Sequence, residues 1–121
     1  MANTFPNLTI NDLAEFSFIA GTKQVLTFDV YDSNASPLDL SACTTHWVMS
    51  PYGNPQYATL TVGGVLSGSS VLNRFTVTIS GSSTSELYGK YTHQPVVIDY
   101  ASNEYRPSQG MVVIVPKNAT I

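Results

Sequence analysis

"DVYDSNASPLDLSACTTHWVMS", residues 29–50, brings Asp29, Asp32 and Asp39 close in sequence to the only cysteine, Cys43, and to His46, one of two histidines. Such a set could hold a metal or act on a substrate. It could also be two strands and the connection between them. Periodicity separates the readings, because side chains in a strand alternate between faces while those of a helix recur every three to four residues. In "TTHWVMS" (44–50), Thr45, Trp47 and Met49 fall on one side and His46 and Val48 on the other. In "QVLTFDVY" (24–31), Leu26, Phe28 and Val30 oppose Thr27 and Asp29. Between them "SNASP" is rich in turn formers. Asp32 and Asp39 therefore belong to a connection, where Asp commonly accepts from nearby backbone N–H groups. A tryptophan inside an early strand suits the centre of a β-sandwich.

The alternation continues along the chain. "AEFSFI" (14–19), "QYATLTV" (56–62), "NRFTVTIS" (73–80), "KYTHQPVVIDY" (90–100) and "MVVIVP" (111–116) read as strands. The last is continuously apolar, which predicts burial on both faces. Pro95 predicts an edge position or a bulge, since proline cannot donate to a ladder. "PYGNP" (51–55), "GGVLSGSS" (63–70) and "ASNEYRPSQG" (101–110) read as turns, and a short helical turn is expected at 84–88. The sum is seven or eight mostly antiparallel strands, in a sandwich or a small barrel. Residues 13–121 are expected to form this single domain. Residues 1–12, with Phe5, Leu8 and Ile10, are either a first strand or an extended arm that docks on a neighbouring subunit.

Composition narrows the function classes. The 121 residues suit one domain, and 43% hydrophobic content is enough for a core. Charged residues are 11%, against about 25% in an average domain. The net charge is −3, and the five cations are scattered, which argues against nucleic-acid binding. One cysteine cannot form an internal disulfide. The N-terminus has no signal-peptide pattern and no apolar run reaches the ~18 residues of a membrane span. Synthesis and folding in a reducing cytoplasm are expected.

No motif for catalysis or metal binding stands out. "DSNASPLD" lacks the glycine and glutamate of a calcium loop, and zinc would need more than Cys43, His46 and His93. Neither GxSxG nor a phosphate-binding glycine loop occurs. No catalytic residue, cofactor or metal is expected. The aromatics are the remaining signal. Tyr52, Tyr57 and Tyr105 fall at turns or strand ends, where tyrosine anchors protein interfaces or stacks on sugars.

The order of these segments resembles the immunoglobulin-like N-terminal domain of phage baseplate upper proteins and related phage virion modules. The resemblance lies in Pro37-Leu38-Asp39-Leu40-Ser41 leading into a strand, the Pro51-Tyr52-Gly53 turn, and Gly89-Lys90-Tyr91 opening a later strand. It covers roughly residues 22–116. It implies an immunoglobulin-like β-sandwich, and a structural role in a virion rather than an enzyme. In that family longer receptor-binding or fibre segments usually follow the domain, whereas this chain ends at Ile121. A small accessory component is therefore expected, a decoration or adaptor of head or tail, made in the bacterial host cytoplasm. Its expected partners are capsid or tail proteins and further copies of itself, with no nucleic acid and no membrane. Interface candidates are Phe5, Leu8, Ile10, Tyr52, Tyr57 and Tyr105. The alternative is a carbohydrate-binding module that uses loop tyrosines.

Overall fold

Leu26, Phe28, Val30, Trp47, Met49, Phe75, Val77 and Ile79 are all buried, so the alternation in the sequence is the alternation between core and surface. The computed structural model describes residues 9–10, 15–32, 34–106 and 109–117. Its strands are β1 (Thr9–Ile10), β2 (Phe16–Ile19), β3 (Gln24–Tyr31), β4 (Thr44–Pro51), β5 (Leu60–Gly63), β6 (Val65–Ser67), β7 (Arg74–Ile79), β8 (Gly89–Ile98), β9 (Glu104–Tyr105) and β10 (Gly110–Val115). One helical turn, α1 (Gly81–Thr84), joins β7 to β8.

The strands form two sheets. One has the order β1-β3-β7-β6, the other β2-β10-β8-β4-β5, with β9 on β8. All pairs are antiparallel except β2 with β10. This is the strand order of an immunoglobulin-like sandwich. The inner faces meet around Trp47, Phe28 and Phe75, each at most 1% exposed. Phe28 and Phe75 stand opposite each other in register and stack with centroids 5.0 Å apart.

Two features of the immunoglobulin core recur in altered form. Tyr91, near the start of β8, donates its hydroxyl to the Tyr88 carbonyl (3.1 Å), the geometry of a tyrosine corner. Two residues on, where antibody domains place a disulfide cysteine, stands His93. It is 2% exposed, and the Trp47 indole N–H donates to its Nδ1 at 3.0 Å. The Phe16 ring meets His93 edge-on at 5.1 Å. A polar contact between side chains of neighbouring strands thus occupies the place of the cross-link between sheets.

Some expectations need correction. Ten strands are present among the described residues rather than seven or eight, because segments read as turns contain β6 and β9. The strand expected at 56–62 begins only at Leu60; residues 52–59 are an exposed connection. The helical turn lies at Gly81–Thr84, not at 84–88. Thr84 fixes it there: its side chain is fully buried and its Oγ1 accepts from the Gly21 N–H at 3.1 Å. In β10 only Val112 and Ile114 are buried, so one face is covered and not both. β8 is central, but its pairing with β10 ends at His93 and its pairing with β9 begins at Val97. Pro95 lies in that gap, where the strand is locally an edge. Between β5 and β6 the chain changes sheet through Gly64, where any Cβ would overlap the Thr45 hydroxyl and the Phe75 ring.

The first segment is described only at Thr9 and Ile10, whose backbones pair with Tyr31 and Val30 of β3. Phe5 and Leu8 lie outside the described residues.

Candidate functional site

The polar residues of 29–50 do not converge. Asp29 leaves the outer face of β3 and pairs with Arg74 of β7, Nε to Oδ1 at 2.6 Å and Nη2 to Oδ2 at 3.3 Å. Asp39 accepts from the Ser41 N–H and hydroxyl. His46 lies on the opposite face of β4 from Trp47. Cys43 is buried just before β4. Burial, then the charges of Asp99 and Asp39, push its thiol up, away from the reactive thiolate. His93 stands in register with Met49, six residues along from Cys43, or roughly 20 Å at the strand rise. A Cys–His pair is not assembled. Among the described residues no group of three or more His, Cys, Asp or Glu is placed to hold a metal ion, and no helix is long and apolar enough to cross a membrane.

Asp32 organises a five-residue turn. Its Oδ1 accepts from the N–H groups of Asn34 and Ser36 at 2.8 and 3.0 Å, its own N–H donates to the Ser36 carbonyl, and Ala35 donates to its carbonyl. Asp99 repeats the pattern. Its Oδ1 accepts from Ala101 and Asn103 N–H groups, both at 2.9 Å, its N–H donates to the Asn103 carbonyl, and Ser102 donates to its carbonyl. The fourth residue is left-handed in both, with φ of 61° at Ala35 and 66° at Ser102. Ile98 pairs with Thr44, so both turns sit at one end of the sandwich. Sequence reading placed Asp32 in a turn and passed over Asp99. The shared signal was an aspartate directly after a strand, four residues before a Ser or Asn.

Left-handed backbone costs a residue with a Cβ roughly 1 kcal/mol, and asparagine tolerates it best after glycine. Ala35→Asn and Ser102→Asn, both at exposed positions, are therefore expected to stabilise by about 0.5 kcal/mol each. Thermal melts of the two variants check this, and a fall in both would mean that the turns carry no such strain.

The tyrosines divide between the ends. Tyr52, Tyr57 and Tyr88 are 61%, 64% and 70% exposed. All three lie at the end away from the aspartate turns, with the Tyr52 N–H bonded to the Lys90 carbonyl. Tyr105 is at the other end, half-buried against the core, and its hydroxyl donates to Asp99 Oδ2 at 3.2 Å. Tyr88 was absent from the expected interface residues; its place just before the tyrosine corner was the available signal.

No family model matches the chain, and no curated protein matches its sequence. Solved structures do resemble it. A "GspB Siglec domain" superposes with a TM-score of 0.55 at 14% identity, covering 94% of this chain and 60% of that one. The chain thus spans about three fifths of that structure's length. The "Lin-41 filamin domain" superposes with a TM-score of 0.52 at 15% identity, covering 93% and 95%. At these identities the likeness concerns the fold, and the fold is immunoglobulin-like.

Proposed function

We propose that this chain is a non-enzymatic structural module of a bacteriophage virion, which acts by binding other virion proteins of head or tail as one of several copies. The sequence resemblance to phage virion modules motivates the reading, and the immunoglobulin-like fold agrees with it. The observation that carries it is the exposure of Tyr52, Tyr57 and Tyr88 at one end of the sandwich. Tyrosine supplies large contact area at low entropic cost and is enriched among residues that dominate interfaces. Asp32, Asp39, Asp99 and His93, by contrast, are engaged in turns and core.

Purified particles of the phage that encodes the chain are expected to contain it, detected by mass spectrometry and by antibody labelling. The Tyr52→Ala, Tyr57→Ala, Tyr88→Ala triple variant should remain folded and bind such particles at least roughly 30-fold more weakly, equivalent to one interface hot spot. Particles that lack the chain would overturn the virion reading. Full retention of the triple variant would move the contact surface elsewhere.

A further inference from the structure

Beside the first aspartate turn, on the outer face of the four-stranded sheet, is a cleft of about 490 Å³. It is lined by the Asp29–Arg74 pair, by Tyr31 and Pro37, and by Ser67, Ser69 and Asn73 from the end of β6 and the connection to β7. The volume is within the range of small-molecule sites, about 300–1,000 Å³. We propose that this cleft is a binding site for a neutral saccharide, a mono- or disaccharide unit.

The charge pattern selects the class. Asp29 and Arg74 neutralise each other across two hydrogen bonds. An anion entering the cleft would meet the carboxylate, and a cation would meet the guanidinium. Hydroxyl groups, which both donate and accept, meet neither penalty: the bonds to Asp29 use two of the five N–H donors of the Arg74 guanidinium. The hydroxyls of Tyr31, Ser67 and Ser69 and the amide of Asn73 add donors and acceptors to the lining. The Tyr31 and Pro37 rings give flat apolar surface for the C–H face of a pyranose. Gly68 holds the rim in shape, because a Cβ there would overlap the backbone carbonyl of Val71. The cleft is open to solvent, so affinity is expected in the millimolar range.

The test is a titration of the isotopically labelled full chain with lactose, maltose and chitobiose, and with glucuronic acid as the anionic probe, to tens of millimolar, read by amide chemical shifts. It uses purified protein and is independent of the virion assignment. At least one neutral sugar should shift the amides of 29–31 and 67–74. Arg74→Ala and Asp29→Ala should each weaken that binding by roughly tenfold with little change in melting temperature, since an exposed ion pair contributes little to stability. Three results would overturn the proposal: no shift with any neutral sugar, shifts centred on Tyr52, Tyr57 and Tyr88, or preferential binding of glucuronic acid that survives Asp29→Asn.

Discussion

Trp47→Ala is expected to lower the unfolding free energy by about 3–5 kcal/mol, the cost of removing a large aromatic from a closed core. Trp47 is 0% exposed and ranks first by volume among the fully buried side chains. With a typical total stability of about 5–15 kcal/mol, the loss takes a domain of this size near its limit. Trp47→Phe keeps a ring in place and keeps the prediction measurable if the alanine variant does not fold. It still removes the N–H that satisfies His93 Nδ1, and an unsatisfied buried acceptor costs about 1–3 kcal/mol. Replacing both partners by apolar groups removes the penalty as well as the bond. The Trp47→Phe, His93→Leu double variant should therefore be less destabilised than the two single effects summed, by about 1 kcal/mol or more. Urea denaturation of the four proteins closes this cycle. Strict additivity would mean that the 3.0 Å contact contributes nothing beyond packing.

That contact also marks how far the sequence could be read. Period-two alternation is decisive for a strand with one covered face, because a slip of one residue would expose every apolar side chain. β3, β4 and β7 are of this kind, and their inward residues were legible: Leu26, Phe28 and Val30; Thr45, Trp47 and Met49; Phe75, Val77 and Ile79. β6 has three residues, with Val65 70% exposed, and β9 has two. Neither is long enough to display a period. The run "MVVIVP" is apolar on both faces in sequence, yet nothing within it tells whether the second face is covered.

Pairwise chemistry was less legible, because it depends on register between distant segments. Arg74 meets Asp29 because β3 and β7 align them across 45 residues. His93 meets Trp47 because β4 and β8 align across 46. In one dimension a histidine and a cysteine look like a potential pair, and only the fold sets them roughly 20 Å apart. Local chemistry, by contrast, can be read directly. Asp32 and Asp39 accept from N–H groups two to four residues ahead, as a turn aspartate should.

Asp99→Ala is expected to lower the melting temperature by roughly 5 °C or more at neutral pH, clearly more than Asp32→Ala. Both carboxylates accept two backbone N–H groups through Oδ1. Asp99 is 4% exposed and accepts two more bonds at Oδ2, from the Asn103 amide (3.4 Å) and the Tyr105 hydroxyl (3.2 Å). Its removal takes an acceptor from the Ala101 and Asn103 N–H groups, the Asn103 amide and the Tyr105 hydroxyl together. Burial alone would push the Asp99 carboxyl up. The Asn103 backbone and side-chain bonds, with those from Ala101 and Tyr105, outweigh burial and hold it below the usual carboxylate range. A group whose folded value is depressed contributes stability above the unfolded value, about 3.9, and that contribution is lost as pH falls through the folded value. The gap in melting temperature between the wild type and Asp99→Ala should thus be constant from pH 7 to about 5 and shrink below about pH 4. Asp99→Asn separates charge from geometry. Its oxygen can still take the Ala101 and Asn103 N–H groups, but an amide NH₂ replaces the acceptor facing Asn103 and Tyr105. It should fall between the wild type and Asp99→Ala at pH 7. Its own melting temperature should lack the acid-dependent loss that Asp99 imposes on the wild type, and an equal acid slope in both proteins would assign that loss to other carboxylates.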